Sequence, residues 1–304
     1  MAFNANTITT TQVDDSIVLA FADLVYFAAQ PEMIVDQFAN IRENINGKSI
    51  QFSKYADLTE ATSALTEANE DTAENMTDSA VTLTPAEYGK STIRTRLASL
   101  QTGGKVDIAA ARAIGFNLGR TVDKLGMTAL EGGSPIATVY GGTATAANNL
   151  ATSDNLDRIM VNKMYNKLAR RNTPPAVGGL YAAVAHDDCL HDLRADLQDI
   201  AKYGLPESVS RNAIGVMGGF VWYRTSHSTI TTDASGSIDA YKVVGFGDNV
   251  LAKATSQEPG LVITGPFDRL GRFVNIGWYG VFSYGILDGN NMVFGVCSSS
   301  VGSN

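Results

Sequence analysis

Between Asp57 and Asp78 the chain carries Asp57, Glu60, Glu67, Glu70, Asp71, Glu74 and Asp78 and not one basic side chain. Carboxylates at that density repel one another, and so polar a stretch buries no core of its own. Segments of strand character bracket it. Lys48 to Tyr55 alternates Ile50 and Phe52 with polar neighbours, and Tyr88 to Leu97 alternates Ile93, Thr95 and Leu97 against Thr92, Arg94 and Arg96. The pattern predicts a long two-stranded ribbon over residues 48–102, projecting from the body with an acidic tip. An isolated two-stranded ribbon is marginal in water, so a second surface has to support it.

The charge reverses immediately afterwards. Lys90, Arg94, Arg96, Lys105, Arg112, Arg120 and Lys124 face only Asp107 and Asp123. Within this basic stretch, after Gly103-Gly104, Ala111, Ile114, Leu118, Val122, Leu125 and Ala129 recur at intervals of three and four. That spacing predicts one long amphipathic helix over Val106 to Leu130, closed by Gly132-Gly133 and Pro135. The net charge of −8 argues against a chain built mainly to neutralise phosphates.

Before the ribbon, Asn4 to Thr11 reads as an extended arm. Ser16 to Phe27, and then Ile34, Phe38 and Ile41, predict two short helices within residues 1–47. Beyond the long helix, a Gly-, Ala- and Thr-rich stretch closes residues 103–150. Asp154 is placed to cap a helix through Leu156, Met160, Met164 and Leu168, Gly179 to Ala185 reads as a fully buried strand, and Leu190, Leu193, Leu197 and Ile200 mark a further helix ending near Gly204. Residues 151–255 and 256–304 are rich in strands with few charges, so their faces need covering by helices or by other chains. The pattern is α+β.

One cluster brings nucleophile and ligand types together: His186-Asp-Asp-Cys189-Leu-His191-Asp192. A hydrolase using Cys189 with His186 or His191 is conceivable. A structural reading needs less: His186 ends the buried strand, Asp187 or Asp188 caps the next helix, and Cys189 fills a small apolar space. Four zinc ligands are not assembled there, and neither G-x-G-x-x-G before a helix nor G-x-x-x-x-G-K-[ST] occurs. Gly215, Gly218, Gly219, Gly245, Gly247, Gly277 and Gly280 sit within predicted strands, where bulges and tight corners account for them. No catalytic residue, cofactor or metal is expected. Two cysteines fit a protein made in a reducing compartment, and no apolar run of membrane-spanning length is present.

Two stretches carry a family resemblance. Tyr181-Ala-Ala-Val-Ala-His186-Asp-Asp-Cys-Leu-His-Asp-Leu-Arg194 is similar to a strand ending in a His-Pro-Asp turn, here with Asp187 in place of proline. Gly215 to Arg224, with Asp268 to Asp288 around Gly277-Trp-Tyr-Gly280, resembles a closing segment with Gly-Trp before Tyr-Gly. Together with the order of elements they resemble the major capsid proteins of tailed bacteriophages, the Hong Kong 97 type of fold. The resemblance implies an N-terminal arm, an extended ribbon called the E-loop, a spine helix, and peripheral and axial domains, the axial domain over 151–255. It also implies a non-enzymatic coat protein forming the pentamers and hexamers of an icosahedral shell around double-stranded DNA, without sequence-specific binding or a membrane. A separate scaffolding protein, a portal and a decoration protein are the expected partners, with assembly in the host cytoplasm and residence in the virion capsid. A tail-tube or surface-layer protein is the structural alternative. Glu67, Glu70, Asp71 and Glu74 of one copy are expected to face Arg94, Arg96, Arg112 or Arg120 of the next, because opposite charge across a contact sets register and partner choice.

Overall fold

A computed structural model describes residues 33–43, 47–56, 58–62, 64, 67, 73–103, 105–200, 213–232 and 238–301. The expected helix over Ser16 to Phe27, the helix stop near Gly204, and Glu70 and Asp71 lie outside them. After a short 3-10 turn at Val35–Phe38 come β1 (Ala39–Glu43), β2 (Ile50–Tyr55), β3 (Asp78–Leu83), β4 (Ala86–Thr95), the short helix α1 (Arg96–Gln101) and the long helix α2 (Lys105–Glu131). Then follow β5 (Thr138–Tyr140), α3 (Arg158–Ala169), β6 (Tyr181–His186), α4 (Asp187–Ile200), β7 (Ala213–Met217), β8 (Phe220–Thr225), β9 (Ile230–Thr232), β10 (Asp239–Phe246), β11 (Leu251–Phe267), β12 (Phe273–Ile286) and β13 (Met292–Cys297).

The main core is a mixed sheet ordered β5-β13-β10-β6-β8-β7, with β9 paired to β10. Its central β6 has small apolar side chains and is buried at its first five positions, as a strand covered on both faces must be. One face packs Phe220, Trp222, Tyr241 and Val243 against Met160, Met164 and Leu168 of α3 and Leu190 and Leu193 of α4. The other packs Val184, Val221, Val244 and Phe294 against Met127 and Leu130 of α2 and against Ile34 and Val35. Between β7 and β8, Gly218 and Gly219 adopt φ of +59° and +82°, so the turn demands glycine. This sheet also recruits β5 and β13 from beyond residues 151–255.

A second sheet, ordered β1-β11-β12-β4, carries the first two-thirds of α2. Its long strand β11 is buried over its first five residues and largely exposed thereafter. Ala111, Ile114, Leu118 and Val122 of α2 pack on Trp278 and Phe282 of β12. Gly277 permits the close approach of β4 to β12, since a Cβ there would stand 2.6 Å from Ser91 Cβ and 2.8 Å from the Lys90 carbonyl.

The structure corrects three local expectations. The ribbon strand β2 pairs antiparallel with β3, whereas the Tyr88–Leu97 strand joins β12 along its whole length as β4. Pro85 separates β3 from β4, and its missing amide hydrogen suits a break between two ladders. The ribbon base is also supported within the chain, because Ile50 and Phe52 are buried against Ala252 and Ala254 of β11. Second, the helix expected through Ile34, Phe38 and Ile41 is a single 3-10 turn followed by β1, which pairs parallel with β11. Third, Asp157 rather than Asp154 caps α3, accepting the Met160 amide at 2.7 Å. Asp154 instead accepts the Ala151 amide at 2.9 Å and closes the preceding turn.

Candidate assembly surfaces

The cluster at 186–192 is bound up in the core. His186 Nδ1 accepts the Asp188 amide at 3.3 Å, so the histidine ring, not Asp187, provides the cap at the start of α4. Asp188 Oδ2 accepts the Tyr241 hydroxyl at 2.8 Å. Cys189 is fully buried with its Sγ 3.6 Å from Cys297 Sγ. The hydrogen bond with Cys297, then burial, then the Asp188 and Asp192 carboxylates push the Cys189 thiol well up, which keeps it protonated. A neutral buried thiol is a poor nucleophile. His191 points to solvent beside Asp192, and that carboxylate also accepts the Ser300 amide and hydroxyl. Among the described residues no group of three His, Cys, Asp or Glu is placed to hold a metal, and no helix is long and apolar enough to cross a membrane.

The polar groups that are deeply buried tie distant parts of the chain to the long helix. Asp123 on α2 is 1% exposed. Its carboxylate accepts the Ile34 and Val35 amides, both at 3.0 Å, and the Thr225 hydroxyl at 3.2 Å, and lies 2.9 Å from His227 Nδ1. Two turns on, Glu131 accepts the Ser228 hydroxyl and the Thr229 amide, both at 2.8 Å. Asp123 and Glu131 are eight residues apart and so share a helix face. The loop Thr225 to Thr229 is thereby held along α2, and Asp123 also holds the chain entering β1. A second network completes the attachment: Asp36 accepts the Tyr284 hydroxyl at 2.5 Å and pairs with the buried Lys253 at 3.1 Å. These residues were missed in the sequence because Asp123 read as one of the few acids of a basic stretch and Glu131 lies just past the expected end of the helix at Leu130. Their spacing of eight was the available signal.

The predicted contact residues are mostly at the surface and are not joined to one another. Glu67 is exposed, and Glu74 accepts the Thr59 amide and hydroxyl at 2.9 and 2.8 Å, which lowers its carboxyl pKa. Arg94 lies 3.0 Å from Asp107 of its own chain and is half-buried. Arg96 and Arg112 are exposed, and Arg120 is exposed but engaged. Large apolar side chains gather nearby: Leu97 and Leu100 on α1, Ile93 on β4, and Phe267 and Leu270 at the β11–β12 turn are all exposed, Leu270 by 73%. The Arg96 amide donates to the Arg272 carbonyl at 2.8 Å, which sets α1 against that turn. Exposed apolar groups gathered in this way make this end a candidate contact surface.

No family model and no curated protein sequence matches the chain. Solved structures do. A chain from the capsid of Ralstonia phage GP4 superposes with a TM-score of 0.71 at 14% identity, covering 86% of this chain and 87% of that one. A chain from the head of Helicobacter pylori bacteriophage KHP40 gives 0.63 at 12% identity, covering 98% and 100%. A chain from a virus-like particle of Pyrococcus furiosus gives 0.56 at 10% identity, covering 91% and 98%. The chain has the α+β fold of the Hong Kong 97-type capsid proteins.

Proposed function

We propose that this chain is a major capsid protein of a tailed bacteriophage, assembling as pentamers and hexamers into an icosahedral shell around double-stranded DNA. The observation that carries the reading is the split character of the molecule. A fully covered core coexists with an acidic ribbon tip and an exposed apolar end, and both are supplied with partners when copies lie side by side. Head-to-tail contacts of this kind close into rings. The neighbours named above are from two phage heads and a virus-like particle, which supports self-assembly. Burial of Cys189, with its thiol pushed well up, supports a non-enzymatic structural role over a hydrolase that uses this cysteine.

Within this reading residues 1–47 form the arm, 48–102 the E-loop with its return, 103–150 the spine helix and the start of the peripheral domain, 151–255 the axial domain, and 256–304 the return strands. The ribbon tip, with Glu67, Glu70, Asp71 and Glu74, lies over the neighbouring copy and faces Arg96 and Arg112, with Arg94 and Arg120 engaged in their own chain as well. Scaffolding, portal and decoration proteins are separate partners, and assembly takes place in the host cytoplasm. Electron microscopy of the purified protein is the direct test. Closed shells support the reading, whereas tubes, flat arrays or persistent monomers overturn it.

A further inference from the structure

Helix α3 has a strongly basic solvent face. Arg158, Asn162 and Asn166 form one row at intervals of four, continued by Arg170 at the C-cap, and Lys163 and Lys167 a second row beside it, continued by Arg171 in the turn that follows. Residues three and four apart stand next to each other on a helix, so each row is a continuous ridge. All seven are exposed. The only acid between 157 and 171 is Asp157, which is spent capping the helix. Exposed helix cations are commonly matched by a carboxylate one turn away. Here Lys163 and Lys167, and Lys167 and Arg171, are like charges at that spacing. Lys54, Arg94, Lys253 and Arg272 each have a carboxylate partner. Among the described residues, none of the five cations of this face makes an ion pair or a side-chain hydrogen bond.

The chemistry of the face selects its partner. Arginine, lysine and asparagine present an array of hydrogen-bond donors, the groups that meet phosphate oxygens in nucleic-acid complexes. Lysine is depleted in contacts between proteins, and the face offers little apolar surface, Ile159 and, at its edge, Tyr165. From Arg158 to Arg170 the helix rises about 18 Å, enough to follow roughly five phosphates of one strand at about 3.4 Å each along the duplex axis. A local concentration of positive charge in a chain of net −8 focuses attraction at one place instead of spreading it over the surface.

We propose that the solvent face of α3 binds the phosphate backbone of double-stranded DNA, without reading sequence. The charge pattern by itself specifies a polyanion, and its identification with DNA rests on the shell-forming role proposed above. The face then touches the enclosed genome, and α3 lies on the inner wall of the shell. The other polyanion in reach is the acidic tip of a second copy, residues 57–78, and the experiment separates the two.

The full-length protein is titrated with a short mixed-sequence duplex over a range of salt concentrations, next to a Lys163→Glu, Lys167→Glu, Arg170→Glu triple variant and a Lys48→Glu, Lys90→Glu control. All five positions are exposed, so folding is checked by circular dichroism and expected unchanged. For five engaged cations, the plot of log affinity against log salt falls with a slope of about −4 to −5. The triple variant is expected to flatten that slope by about 3 and to weaken binding at low salt on the order of 100-fold, with the control unaffected. Absent binding by the wild type, or a triple variant that binds like it, overturns the proposal. A triple variant that no longer assembles but binds DNA as before also overturns it, and assigns the face to the acidic tip. Micrographs of the wild type are read separately: if shells form and the titration fails, only the role of α3 falls, and if no shells form, the shell-forming role falls whatever the titration gives.

Discussion

The seven-stranded sheet and the outer half of the four-stranded sheet are built from similar residues and meet opposite fates. The first is covered by α3 and α4 on one side and by the end of α2 on the other, and Phe220, Trp222, Tyr241 and Phe246 lose nearly all exposure. The second has α2 on part of one face, and beyond Thr255 β11 is half-exposed or exposed throughout, fully so from Thr264 to Phe267. One strand thus passes from a closed core to an open edge: its pairing with β1 ends at Thr255, and its register against β12 shifts between Thr255 and Gln257 and again before Gly260. Folding of this chain closes one region and leaves the other uncovered, to be covered by a neighbour under the shell-forming role proposed above. Substitutions should therefore separate into those that act on the monomer and those that act on assembly.

The largest expected effect is in the closed region. Trp222 is fully buried, and its Nε1 donates to the Met217 carbonyl at 3.2 Å. Trp222→Ala should cost about 3–5 kcal/mol in chemical denaturation of the unassembled chain, since it opens a cavity between sheet and helices. A loss below about 1 kcal/mol would mean that this core is not closed.

The next effect tests the joint between the regions. Asp123→Ala leaves the Ile34 and Val35 amides and the Thr225 hydroxyl without their acceptor in a buried site. Unmade hydrogen bonds of this kind make a loss of about 2–4 kcal/mol the expectation. Hydrogen exchange should show Ile34 and Val35 losing protection first. Unchanged protection there would show that Asp123 does not hold the arm.

How much of this was legible in the sequence follows from what each element depends on. The long helix and the helix after β6 came from periodicity and the buried strand β6 from an unbroken apolar run, all local properties, and the structure places them within a few residues. The partner of Tyr88–Leu97 did not, because alternation marks a strand without saying which strand lies beside it. Pro85 was the one local sign that the ladder changes there. The cap at α4 went to His186 because the strand delivers its ring to the Asp188 amide, a tertiary placement that capping preference does not see. The candidate contact surface was half legible: the acidic stretch stood out by composition, whereas no local pattern marks Leu97, Leu100 and Leu270 as side chains that the fold leaves uncovered.

A smaller effect comes from Tyr284, at the edge of the closed region. Burial first, and then the Asp36 carboxylate, push its phenol well above the ordinary value of 10.0. The folded state therefore keeps the proton after the unfolded chain has lost it. The contribution of this group is full below pH 10 or so and declines as pH rises further. Tyr284→Phe should cost about 1–2 kcal/mol at neutral pH by removing a donor to a charged acceptor. The gap between wild type and variant should narrow above about pH 10. A gap that stays constant from about pH 8 to about pH 11 would break the link between Asp36 and the proton on Tyr284.

The smallest effect on the monomer is expected at the open end, and there it matters most for function. Leu97 and Leu270 flank the β11–β12 turn and face solvent. Leu97→Ser with Leu270→Ser should change the stability of the unassembled chain by no more than about 0.5 kcal/mol per site, because neither side chain loses a partner within it. If copies close over this end, each contact loses about 1.5–3 kcal/mol for every leucine buried across it. A shell repeats its contacts many times, so a deficit that size should remove closed shells at concentrations where the wild type forms them, as read by sedimentation. A double variant that assembles like wild type would place the contact elsewhere and leave these leucines as plain exposed residues. One that also unfolds more easily would show that the open end is closed by its own chain.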